Sequence, residues 1–265
     1  MTDHLIYTKE DGVATLTMNR PEVLNAFSMD MRQAMYEAID EIEHDPTVRC
    51  VVLQGAGDHF MAGGDVKSFA EFYEMPGAER QAYFERRVHN IHPMLFAMRR
   101  MDKPIVASVK GGCAGAGMSF MMACDLTIAA DDSFFKFSYV GIGASPDGSG
   151  SYHLPRIVGT RKALELAMLG DRFDVEKAEK YGLVNWVVPR ADLEEETAKL
   201  AHRLANGPTV SIGSVKRLMY ASHANSHEAQ LSMEAEGFGR CAATEDWIEG
   251  VRAFNEKRKP VFQGK

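Results

Sequence analysis

The sequence is poor in the features that mark secreted, metal-bound or membrane proteins. Its four cysteines, Cys50, Cys113, Cys124 and Cys241, are scattered over 265 residues. None forms a Cys-x-x-Cys pair, and the spacing fits neither a zinc site nor a disulfide framework, which predicts reduced, mostly buried thiols. No apolar run approaches the roughly 20 residues that span a bilayer, so no membrane is expected as a partner. Met1-Thr2-Asp3-His4 sets no basic stretch ahead of an apolar one, and Gln263-Gly264-Lys265 matches no retention or peroxisomal address. A cytoplasmic location is the expectation. Positive charge is also short: 30 Lys and Arg stand against 37 Asp and Glu, a formal net charge of −7. That balance argues against nucleic acid as the main partner, because phosphate binding needs a basic surface. The nine histidines form no His-Glu-x-x-His or comparable cluster, so no metal is expected. Internal repeats, low-complexity tracts and long linkers are absent.

Apolar residues are plentiful, at 45% of the chain, enough for a sizeable core. Val13 to Met18 alternates branched or apolar residues with Thr and predicts a strand. Ser28 is placed to cap a helix carrying Met31, Met35, Ile39 and Ile42 on one face. Cys50 to Leu53, Pro104 to Val109 and Leu126 to Ala130 are short apolar runs, as in strands buried on both faces. Glu71 to Arg100 reads as helix with a break near Met75-Pro76-Gly77, and Pro93 beside His92 predicts a further irregularity. Strands and helices alternate, which indicates an α/β fold. The final third is helical. Asp192 and Glu195 form a capping-box pair for a helix from Asp192 to Asn206, and Pro208 and Ser226 open two more. The shift places a core domain at residues 1–195 and a helical region at 196–265.

Two glycine-rich turns interrupt this alternation. One is Phe60-Met61-Ala62-Gly63-Gly64-Asp65, and the other is Gly111-Gly112-Cys113-Ala114-Gly115-Ala116-Gly117. Small residues let a ligand approach the backbone, and N–H groups at a helix start lack an intrahelical partner. Two such donors aimed at one point would form an oxyanion hole. Two tight structural turns are the plainer reading of these segments alone. Neither turn spells the dinucleotide fingerprint, no P-loop occurs, and no G-x-S-x-G surrounds Ser145, Ser149 or Ser151.

An ordered series of segments carries a resemblance. It comprises Leu24-Asn25-Ala26-Phe27, Phe60 to Asp65, Lys103 to Gly117, Ala123-Cys124-Asp125-Leu126 and Pro146-Asp147-Gly148. Leu154 to Gly159, Gly182-Leu183-Val184 and Phe254 to Pro260 complete it. Together they resemble the enoyl-CoA hydratase/isomerase (crotonase) superfamily nearly end to end, and in particular isomerases of the phenylacetate-degradation type. The resemblance implies a crotonase-like spiral of ββα units with a C-terminal helical trimerisation region, assembled as a homotrimer or homohexamer. It implies an acyl-CoA substrate, with coenzyme A entering as part of that substrate and no separate cofactor. By the same likeness Gly64 and Ala116 supply the oxyanion-hole amides. Ala62, Asp65 and Val66 line the adenine pocket, Leu24 and Ala26 flank the pantetheine or adenine end, and Lys257 reaches a CoA phosphate.

Hydratases of this kind use two glutamates, and Ser119 and Tyr139 hold those places here. Neither is a carboxylate, which argues against ordinary hydration. Asp147 stands where some family isomerases carry a catalytic aspartate, although Pro-Asp-Gly is also a strong turn signal. The expected activity is therefore movement of a double bond in an enoyl-CoA. Alternatives are a hydratase with atypical residues, an acyl-CoA binder without activity, and an aryl-CoA dehalogenase or thioester hydrolase using Asp147 as nucleophile. Dehalogenases of this fold share the aspartate and a histidine at the His92 position. They differ in placing tryptophan at Tyr139 and phenylalanine at Gly64.

Overall fold

The structure, a computed structural model, describes residues 3–265. Met1 and Thr2, on which the leader expectation partly rests, lie outside the described residues. Strands β1 (Leu5–Glu10) and β2 (Val13–Met18) form an antiparallel hairpin. Asp11 and Gly12 turn it with φ of 46° and 78°, the positive values that an Asp-Gly hairpin turn requires. The alternation predicted β2 alone. β1 is an edge strand with mostly exposed side chains, so it has little hydrophobic pattern to read.

The remaining strands are β3 (Cys50–Gly55), β4 (Ile105–Val109), β5 (Gly112–Ala114), β6 (Leu126–Ala130), β7 (Phe134–Lys136), β8 (Arg172–Asp174) and β9 (Trp186–Val188). A six-stranded sheet runs β1-β2-β3-β4-β6-β9 and is parallel from β2 onward. A three-stranded sheet runs β5-β7-β8. Side chains of the central strands alternate between two cores, as the period of two demands. Val51, Leu53, Ile105 and Ala107 join the larger core, which also takes helices α1 (Met29–His44) and α3 (His92–Arg100). Cys50, Val52 and Val106 face the other way. Burial on both faces is why these strands appear as unbroken apolar runs. Three of the four thiols are buried and all four are free.

The stretch from Glu71 to Arg100 is broken twice. A 3-10 turn covers Val66–Phe72, α2 spans Gly77–His89 after Pro76, and α3 follows with Pro93 in its first turn. Helix α4 (Ala116–Ala123) is buried along its whole length. It packs on α5 (Gly150–Val158), which leads into α6 (Thr160–Leu169) and α7 (Val175–Lys180).

Helix α8 (Leu193–Ala205) covers the second face of the sheet, with Leu193, Ala201 and Ala205 in its core. The expected boundary at residue 195 falls within this helix. The expected capping box is not formed: Asp192 makes no side-chain cap bond. A 3-10 turn, Arg190–Asp192, runs directly into α8 and puts Asp192 in helical rather than extended backbone. Ser28 and Ser226 do cap their helices, by accepting from Met31 and Ala229. Helices α9 (Thr209–Ala221), α10 (His227–Ala242) and α11 (Glu245–Asn255) complete the chain. Buried Lys216 of α9 pairs with Asp125 at 2.8 Å and donates to the Met98 carbonyl at 2.7 Å, which ties the helical region to the core.

Candidate active site

Two stretches of main chain run side by side to make the site. Met61 pairs with Cys113, and the Ala114 N–H donates to the Met61 carbonyl at 2.8 Å. This approach needs glycine. A Cβ on Gly117 would lie 2.3 Å from the Met61 carbonyl oxygen, closer than any real contact. Gly63 and Gly115 have φ of 112° and 50°, which side chains of L-residues disfavour. A Cβ added to Gly63 would stand 3.5 Å from the Ala116 nitrogen. The Gly63–Gly64 turn therefore lies directly against the start of α4.

Ala116 opens α4, so its N–H has no intrahelical acceptor. Gly64 bridges Phe27 through its neighbours: Phe27 donates to the Gly63 carbonyl and Asp65 donates to Phe27. Among the described residues, neither the Gly64 nor the Ala116 N–H has a protein acceptor. Both residues line one cavity of about 680 Å³.

Asp147 lines the same cavity and, among the described residues, is its only acidic one. The Tyr139 hydroxyl donates to Asp147 Oδ1 at 2.7 Å and stands 2.9 Å from Ser119 Oγ. The phenol has one proton and gives it to the carboxylate, so Ser119 donates to the phenol oxygen. Burial raises the Asp147 pKa above the ordinary carboxylate value, against the pull of the Tyr139 hydrogen bond and of the Arg87 and His92 charges. Burial, then the Asp147 charge, pushes Tyr139 upward, which keeps it a neutral donor. Ser119 is fully buried beneath the Asp147 loop. A Cβ on Gly150 would lie 2.4 Å from Ser119 Oγ, and one on Gly148 would lie 3.1 Å from Ser119 Cβ. The two loop glycines thus pack directly against Ser119.

The other candidate residues fall into two groups. Ala62 and Val66 line the cavity together with Gly64, Ala116, Tyr139 and Asp147. Leu24 and Ala26 lie on a turn behind it, joined to it by the Ala62 N–H, which donates to the Leu24 carbonyl at 2.9 Å. Asp65 makes a 2.9 Å ion pair with Arg20, whose guanidinium also donates to the Ala26 carbonyl. His92 begins α3, packed between His89 and Phe96 and outside the cavity wall. Lys257 follows α11 in an exposed segment, also off the wall.

Several residues of the site were not singled out in advance. Asn25 is fully buried with φ of 57°, and its amide donates to the Ala56 and His59 carbonyls at 2.9 and 2.8 Å. It fixes the turn that precedes Phe27; asparagine's tolerance of left-handed backbone was the available signal. Arg32, Arg80 and Arg87 also line the cavity, and nothing in their helical spacing separates them from surface arginines. Among the described residues no cluster of three His, Cys, Asp or Glu side chains is placed to hold a metal ion.

The sequence profile of the enoyl-CoA hydratase/isomerase family matches residues 8–265. The chain is 34% identical to 1,2-epoxyphenylacetyl-CoA isomerase of Escherichia coli K12, over 100% of both chains. It is 35% identical to trans-2-decenoyl-[acyl-carrier-protein] isomerase of Streptococcus mutans, over 98% of both. The crystal structure of an enoyl-CoA hydratase from Polaromonas sp. JS666 superposes with a TM-score of 0.89 at 33% identity, covering 98% of this chain and 99% of that one. The names of these relatives divide between isomerase and hydratase. The match along nearly the whole chain, with the paired turns and the buried carboxylate in place, leads to one conclusion: this protein belongs to the enoyl-CoA hydratase/isomerase family.

Proposed function

We propose that the protein moves a double bond in an enoyl-CoA through a thioester enolate. The observation that carries this reading is the Ser119–Tyr139–Asp147 chain, which ends in the cavity that Gly64 and Ala116 also line. The thioester oxygen would accept from both amides. Asp147 would remove a proton from the α carbon of a 3-enoyl-CoA, leaving a dienolate with its charge on that oxygen. The protonated Asp147 would then return the proton to the γ carbon, giving the conjugated 2-enoyl-CoA and restoring the carboxylate. Loss of one hole donor typically removes about 2.7–4 kcal/mol of transition-state stabilisation.

Migration needs one base that works twice. Hydration needs an activated water and a proton for the other carbon. A cavity with one carboxylate favours migration, and the name of one relative, a trans-2-decenoyl-[acyl-carrier-protein] isomerase, agrees with it. The reading uses no group beyond the coenzyme A portion of the substrate.

The test is incubation with 3-enoyl-CoA thioesters of several lengths in deuterated water. Conjugation with deuterium incorporation is expected, and Asp147→Asn should lower kcat about 10²–10⁴-fold. A fully active Asp147→Asn enzyme would remove this base from the mechanism. Tight thioester binding without exchange would make the protein a binder, and faster water addition to 2-enoyl-CoA would make it a hydratase.

A further inference from the structure

The cavity holds more positive charge than the proposed reaction uses. Its wall carries Arg32, Arg80 and Arg87 against a single carboxylate, Asp147. The imbalance is local, since the whole chain is net negative. Among the described residues none of the three arginines forms an ion pair. Arg80 donates to the Phe72 and Met75 carbonyls at the end of the 3-10 turn, which gives it a structural duty. Arg32 and Arg87 are different. Both are half-buried, and the Arg32 guanidinium donates to the Arg87 main-chain carbonyl at 3.2 Å, so the two are held together in spite of like charge. Burial first, and then Arg87, lowers the Arg32 pKa, as crowding of two cations should.

Position gives the pair a meaning. Phe69 touches the Gly64 side of the oxyanion hole: a Cβ there would lie 3.8 Å from its ring. Arg87 sits over that ring, 5.2 Å from its centre. The guanidinium is thus one aromatic ring removed from the hole, on a wall shared with Phe84 and Ile91. It is near enough to Asp147 to lower that group's pKa, but not within ion-pair distance of it. A half-buried cation pair without a carboxylate partner loses solvation that a ligand anion would restore. Guanidinium also presents the planar donor fork that a carboxylate matches.

We propose that the acyl group of the substrate carries a carboxylate a few carbons from the thioester, and that Arg87, supported by Arg32, receives it. The substrate class is then an enoyl-CoA whose acyl chain ends in an acid rather than a plain hydrocarbon. This inference rests on the reading of the cavity as an acyl-CoA site. A CoA phosphate is the other source of anionic oxygen, and it would load both kinds of thioester equally.

Binding and turnover separate these possibilities. Hexanoyl- and octanoyl-CoA are titrated calorimetrically beside the ω-carboxylates of the same lengths, using the full-length protein. The matching 3-enoyl thioesters are then compared in the deuterium-exchange assay. Wild type should prefer the carboxylated member about tenfold to a hundredfold in Kd, the range of one charge-assisted contact. The preference should fall to near one in Arg87→Gln, fall partly in Arg32→Gln, and survive in part in Arg87→Lys. Equal binding of both members by wild type overturns the proposal. An equal loss for both members in Arg87→Gln does so too, and assigns the arginine to coenzyme A or to support of the fold. Preference in binding with no exchange on any thioester leaves this inference standing and removes the isomerase reading.

Discussion

Asp147 is held between opposing influences, and the role proposed for it as a base would depend on both. Burial favours its protonated form, while the Tyr139 hydroxyl, Arg87 and His92 favour the carboxylate. The base acts only when ionised, so activity should fall as pH drops through a pKa above the usual carboxylate value. Tyr139→Phe removes a donor that stabilises the charged form. The acid limb of kcat/KM should then move to still higher pH, by about one unit, with Ser119 left without its acceptor. A pH–rate profile checks this, and an unmoved limb would show that Tyr139 does not set the base. Asp147 was legible in the sequence only through its place in a family pattern, since Pro-Asp-Gly by itself reads as a turn. The Tyr139 link was not legible, because position 139 drew notice for lacking a carboxylate rather than for the hydroxyl it offers. Arg87 was hidden for another reason: an amphipathic helix carries many arginines, and only packing shows which one turns inward.

At the scale of elements, the proposed oxyanion hole would depend on a close approach of two backbones more than on any side chain. At Gly117 the fit is tight, with the Met61 carbonyl where a methyl would go. Gly117→Ala should destabilise the fold by about 1–3 kcal/mol, the usual range for overpacking. It should also lower kcat well beyond any change in KM, because the Ala116 amide shifts. Urea unfolding followed beside steady-state kinetics reads both; unchanged stability and rate would mean that the Met61–Cys113 pairing is not needed for the hole. The central strands were legible as apolar runs because both of their faces are covered. The edge strand β1 was not, since exposed strands keep no such pattern, although Asp11-Gly12 marked its turn. The start of α8 misled because the S/T/D-x-x-E spacing is a local cue, and the turn ahead of it had already fixed Asp192 as helical.

The whole molecule leaves apolar side chains of its helical end uncovered. Phe254 is 84% exposed, Phe238 69% and Met219 62%. Large apolar side chains left this exposed are available for contact with another copy, and the family resemblance implies homotrimers or homohexamers. Sedimentation equilibrium at micromolar concentration should therefore give three or six times 29.4 kDa, and Phe254→Glu should shift it toward smaller species. A monomer at all concentrations would refute self-association. No helix among the described residues is long and apolar enough to cross a membrane.

The anion cradle is written in main-chain atoms, and this has an evolutionary consequence. A Cβ added at Gly64 would meet only the rim of Phe69, and any residue but proline at positions 64 and 116 keeps its amide donor. Asp147, by contrast, is lost with one codon. On the proposed reading, inheritance would protect the main-chain half of the catalyst and leave the side-chain half free to drift. Descendants of such a gene can exchange one chemistry for another without passing through a form that has forgotten how to hold an enolate.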